Sequence, residues 1–115
     1  MQLSIFDSDF SSINSLEYNG DWYLYVLYLT NDYYYVGITL YPSRRINEHK
    51  IGKGANFTKR NPPLKMLECY SLNNSDRKIC YKLENEKTKE YKLRYGANKV
   101  IGGRFLYLPK PPFAK

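Results

Sequence analysis

The chain has 115 residues, which suits one domain with a sizeable core and excludes two independent ones. Hydrophobic residues at 43% and charged residues at 25% exclude wholesale disorder, and two cysteines with a single histidine exclude both a disulfide framework and a Cys/His zinc module. A formal charge of +7 points to polyanions, because each lysine or arginine that meets a phosphate releases a counterion.

Residues 1 to 20 mix Ser, Asp and Asn with isolated apolar positions and read as a flexible amino-terminal arm. Asp7, Asp9 and Glu17 stand where a secretory signal would carry positive charge, and no run approaches the roughly 20 apolar residues of a membrane span, so a cytoplasmic location is expected. Trp22 to Leu29 is aromatic or aliphatic throughout, and Tyr33 to Ile38 repeats that character after the turn residues Thr30, Asn31 and Asp32. A hairpin with a three-residue turn pairs Leu27 with Tyr35 and Tyr25 with Gly37, which sets Tyr25 and Tyr35 on one face; a two-residue turn would separate them.

Pro42 suits the first position of a helix ending near Gly52, on which Arg45 and His49, at i and i+4, share a side while Arg44 points about 100° away. The basic, glycine-containing IGKGANFTKRNPP reads as an exposed loop, followed by a strand over 64–70. Asn74 or Ser75 can cap a long helix to about Arg94, with Ile79, Cys80, Leu83 and Tyr91 as its apolar stripe and Gly96 as its stop. Short strands near Val100 and over 104–108 complete the domain, 21–108, and the proline-rich 109–115 forms a tail. The expected architecture is an α/β (α+β) fold, a small, mainly antiparallel sheet of about three to five strands flanked by helices.

In this order the segments WYLYVL, YYVGIT, RRINEH, GKGANFTKRNPP and the KLE of the long helix resemble the GIY-YIG nucleases. The likeness is greatest to the small single-domain bacterial branch and to the nuclease part of the SLX-type resolvases. Tyr23-Leu24-Tyr25 stands for the first name motif, with Tyr23 where the name has glycine, and Tyr35-Val36-Gly37 stands for the second. The cysteine-rich zinc module of the resolvases has no counterpart. The resemblance implies a divalent-metal-dependent DNA endonuclease. Arg45 would bind the scissile phosphate, Glu84 would hold one Mg²⁺ or Mn²⁺, and His49 would relay a proton or contact the phosphate. Tyr25 would act as general base beside Tyr35, their roles being exchangeable. The chemistry suits the residue types: a guanidinium can hold two phosphate oxygens and stays charged, a carboxylate is a hard-cation ligand, and a phenol is a workable base once cations favour its deprotonation.

Lys53, Lys59, Arg60 and Lys65 form a candidate track for further phosphates, with Thr58 as another phosphate contact and Phe57 available to stack on a base. Asn98 is a candidate active-site asparagine by the same likeness. Separately, Gln2-Leu3-Ser4-Ile5-Phe6 resembles the short peptides that dock on the replicative sliding clamp, with Gln2, Leu3, Ile5 and Phe6 as the contacts; an edge strand or hydrophobic stapling of the arm is the simpler reading. The alternatives to the nuclease are a non-catalytic nucleic-acid-binding module of the same fold and a clamp-binding adaptor.

Overall fold

The computed structural model describes residues 2–4 and 17–104. Its centre is a five-stranded mixed sheet in the order β1-β4-β2-β3-β5: β1 Gln2–Ser4, β2 Tyr23–Leu29, β3 Tyr33–Thr39, β4 Pro63–Ser71 and β5 Val100–Gly102. All pairs are antiparallel except β3 with β5. The β2–β3 hairpin has the register that the turn length implies, Leu29 opposite Tyr33 and Tyr25 opposite Gly37. Asn31 and Asp32 turn the chain with φ of 67° and 66°, a left-handed conformation that these two residue types tolerate better than most.

Because strand side chains alternate, β2 sorts its residues onto two cores. Tyr23, Tyr25, Leu27 and Leu29 face Ile46 of α1 (Pro42–Lys50), with Met66 and Cys69 of β4 beside them. Leu24 and Val26 face Tyr91 of α3 (Arg77–Tyr95), with Val36 and Val100. The sheet is thus covered on both faces. No helix among the described residues is long and apolar enough to cross a membrane.

Several expectations change. The 51–63 segment is not all exposed loop: α2 (Asn56–Arg60) forms within it, and both Thr58 and Asn61 are buried. The cap of α3 is Asp76, one residue past Ser75 and two past Asn74, because Asp76 accepts from the backbone N–H groups of Lys78 and Ile79 while Asn74 is used to fix Asp76 itself. Its inward face carries Cys80, Glu84, Thr88 and Tyr91, while Ile79 lies 45% exposed, so polar residues occupy much of the expected apolar stripe. Gly96 ends α3 with φ of 110°, as expected of a helix stop. Three residues of the amino-terminal arm, Gln2 to Ser4, pair with Tyr70 to Glu68 as an edge strand. Ile5 and Phe6, the strand expected over 105–108 and the tail over 109–115 lie outside the described residues.

Candidate active site

The hairpin register brings Tyr25 and Tyr35 together, their ring centroids 6.3 Å apart. Gly37 is what lets the Tyr25 ring lie flat across β3: a Cβ there would sit 2.8 Å from Cε2 and nearer still to Cζ and the hydroxyl. From α1, one turn apart, come Arg45 and His49. The Tyr25 hydroxyl and His49 Nε2 are 2.8 Å apart, and His49 Nδ1 lies 2.8 Å from Thr58 Oγ1. Gly54 clears the space for this imidazole, since a Cβ would come within 2.5 Å of Nδ1.

Arg45 acts on the phenols of both tyrosines through its positive charge, and its Nη1 pairs with Glu48 at 3.0 Å. Arg44 turns outward over the Tyr41 ring, 4.6 Å from its centroid. Its exposed guanidinium takes no part in this cluster.

Glu84 arrives from the other side. The parallel pairing of β3 with β5 stops at Val36 and Gly102, and beyond that point the backbone N–H groups of Ile38 and Gly103 favour the ionised form of the Glu84 carboxyl. Neighbouring Asn85 accepts from Arg104 N–H at 2.8 Å and closes the end of β5. The site therefore sits where the sheet splits, with a carboxylate from α3 and phenols from the hairpin acting on one another electrostatically.

Burial decides the resting charges. Glu84 is 8% exposed, and its carboxyl is pushed up to about 7 by burial, against the pull of the two N–H groups. Lys87, three residues on, pairs with Glu68 and Glu90, and no ion pair among the described residues engages Glu84. A buried carboxylate in that position suits a divalent cation, which restores the missing positive charge and fills its remaining shell with water or phosphate oxygen. Among the described residues no group of three or more His, Cys, Asp or Glu is assembled for a metal.

Burial and the neighbouring Tyr35 hold the Tyr25 phenol well above its usual range, with Arg45 pulling the other way. Tyr25 is therefore protonated at rest. His49 is fully buried and lowered to about 4 by burial and by Arg45, so it is a neutral imidazole that meets Tyr25. The unfolded imidazole takes up a proton near pH 6.5, whereas the folded one refuses it until about pH 4, so this residue's contribution to stability is lost as pH falls between those values. Denaturation at pH 7 and pH 4.5 should show His49→Gln losing less stability than wild type over that interval, by up to about 3 kcal/mol.

The outlying candidates divide. Lys53, Lys59 and Arg60 are exposed beside this face. Thr58 is fully buried against His49, which corrects its expected phosphate contact. Phe57 is half-buried and meets Tyr33 edge-on at 5.1 Å, so it is packed against the core rather than presented to a base. Lys65 lies over the Tyr28 ring on the opposite face of the sheet, away from the cluster, because it pairs with an even-numbered residue of β2. Asn98 sits before β5, at the end of that strand remote from Glu84, and is exposed. The remaining hairpin tyrosines pack: Tyr23 donates to the Glu17 carbonyl, and Tyr34 stacks on Tyr95 at 4.3 Å. Gly54 and Asn85 had no individual sequence signal as site-builders, and Thr58 was expected at the site only as a phosphate contact.

Residues 21–98, about two thirds of the chain, match the family model described as the GIY-YIG catalytic domain. The chain belongs to the GIY-YIG family. Similar curated proteins are a UPF0213 protein of Lactococcus lactis, 30% identical over 86 residues that cover 73% of this chain and 88% of that protein, and one of Streptococcus agalactiae, 35% identical over 74 residues covering 64% and 84%. A UPF0213 protein of Cupriavidus necator is 48% identical over 46 residues, which cover 40% of this chain and 50% of that protein. This chain spans about half the length of that relative and of the Xanthomonas relatives that it matches. No solved structure matches. As a GIY-YIG domain the chain has a nuclease-type fold, and the hairpin, α1 and α3 that build the cluster all lie within the matched residues.

Proposed function

We propose that this GIY-YIG domain hydrolyses phosphodiester bonds in DNA with the help of one Mg²⁺ or Mn²⁺. The observation that carries the reading is the 2.8 Å contact between Tyr25 and His49 beside Arg45, with Glu84 in the same field. Hydrolysis needs a deprotonated water, neutralised phosphoryl oxygens and a stabilised leaving oxygen.

Tyr25, the proposed general base, takes the water's proton as its own passes to His49. Tyr35, 9% exposed against 1% for Tyr25, stands on the more open side and orients the incoming group. Arg45 supplies fixed positive charge to the phosphate. Glu84 would hold the cation, which when bound supplies Lewis-acid stabilisation of charge on the phosphate. Lys53, Lys59 and Arg60 extend positive charge for flanking phosphates.

Wild type should nick supercoiled plasmid when Mg²⁺ or Mn²⁺ is added. Tyr25→Phe should bind DNA as tightly and cleave roughly 10²- to 10⁴-fold more slowly. A wild type that binds DNA and never nicks it would instead identify a non-catalytic binding module of the same fold.

A further inference from the structure

The geometry points to Thr58 as a positioning residue that keeps the proton of His49 on Nδ1 and so leaves Nε2 free to accept from Tyr25. This inference rests on the proposed use of the Tyr25 and His49 pair. Its grounds are the hydrogen bonds of a short chain from core to backbone.

The chain has a defined direction. A carbonyl can only accept, so the 2.9 Å contact of Thr58 Oγ1 with Ala55 O uses the one hydroxyl proton of Thr58. Towards His49 Nδ1, 2.8 Å away, Thr58 then has only lone pairs, and Nδ1 must be the donor. In a neutral imidazole the other nitrogen is the acceptor, so the Tyr25 hydroxyl donates to Nε2 across 2.8 Å.

The small elements around this chain now have a reason. α2 brings Thr58 one turn past Ala55, where its hydroxyl returns to that carbonyl, and Gly54 leaves room for the ring. In the reaction, water gives a proton to the Tyr25 oxygen while Tyr25 gives its own to Nε2, and the hydroxide left behind forms the new bond to phosphorus as the bond from phosphorus to the departing sugar oxygen breaks; that oxygen leaves with the electron pair and takes up a proton from solvent. The resulting imidazolium keeps both N–H groups bonded, one to Tyr25 and one to Thr58.

The test uses the single histidine of the full chain, whose ring nitrogens give one unambiguous pair of signals. With ¹⁵N-labelled protein at neutral pH, wild type should show a protonated, pyrrole-like Nδ1 and a pyridine-like Nε2. In Thr58→Val, Nδ1–H would lose its acceptor, so the proton should move to Nε2 and donate to Tyr25, and single-turnover cleavage should fall roughly a hundredfold with DNA affinity unchanged. Thr58→Ser should restore both the Nδ1–H tautomer and the rate.

A wild-type ring protonated at Nε2, or a folded Thr58→Val that keeps the wild-type tautomer and rate, would overturn the assignment. Should Thr58→Val fail to fold, the wild-type spectrum and the Thr58→Ser variant still decide it. A wild type with the Nδ1–H tautomer that cleaves no DNA would count against the cleavage reading alone and support the positioning role of Thr58.

Discussion

Glu84→Gln should abolish metal-dependent cleavage and yet, without metal at pH 8, give a more stable protein than wild type. The carboxyl of Glu84 is pushed from about 4.5 in the unfolded chain to about 7 in the fold, chiefly by burial. Between those values the folded state holds a proton that the unfolded state has released, so wild-type stability falls as pH rises. The glutamine has no proton to lose, and the fall attributable to this residue, up to about 3 kcal/mol, should vanish from the denaturation profile. Adding Mg²⁺ or Mn²⁺ should reverse the order, because a cation bound to the native carboxylate stabilises wild type by mass action and leaves the amide variant unmoved. Equal pH slopes and equal metal effects in the two proteins would remove Glu84 from the proposed metal site. The metal response separates a site residue from a structural one: burial raises the carboxyl in either case, but only a metal ligand gives wild type a cation-dependent gain that the amide variant lacks.

Gly37→Ala should be the most damaging single methyl added to the hairpin. Gly37 is not among the residues with positive φ, so alanine meets no backbone penalty there and the cost is purely steric. The new Cβ would overlap the Tyr25 ring, which is pinned by His49 at its hydroxyl and is itself 1% exposed. Overpacking of this kind costs about 3 kcal/mol, and a loss of that size lowers the melting temperature of a domain this small by roughly 10–20 °C. Because the overlap is with Cζ and Cε2 as well as the hydroxyl, Tyr25→Phe should rescue little of the loss, whereas Tyr25→Leu should rescue much of it. Additive effects of Gly37→Ala and Tyr25→Leu on thermal unfolding would show that the two residues do not compete for one space.

Much of this was legible before any coordinates because the residues concerned act through spacing. A three-residue turn fixes the register of two apolar strands, and register alone puts Tyr25 beside Tyr35. An i, i+4 pair on a proline-started helix puts Arg45 and His49 on one side and sends Arg44 to solvent. Thr58 was not legible in the same way. In GKGANFTKR a threonine among glycine and lysine has the composition of a solvated loop, and only the five-residue helix around it buries the hydroxyl against His49. The start of α3 was ambiguous for a related reason: Asn74, Ser75 and Asp76 are consecutive residues of capping type, and which one caps depends on the hydrogen bond from Asp76 N–H back to Asn74. The inward face of α3 was misread because Glu84 and Thr88 are buried by the sheet's split and by Gly102, whose missing Cβ lets Thr88 approach. Lys65 was grouped with the other cations by charge, although strand alternation puts it on the opposite face.

The central claim is that Tyr25, His49, Arg45 and Glu84 operate as one phosphodiester-cleaving unit. The most direct measurement is single-turnover cleavage of DNA in Mg²⁺ or Mn²⁺ by wild type, Tyr25→Phe, Arg45→Ala and the double variant. A working unit predicts that each single change removes most of the activity and that the double variant is little worse than the poorer single one. Wild-type cleavage no greater than a metal-free control, or rates unaffected by either substitution, would contradict it.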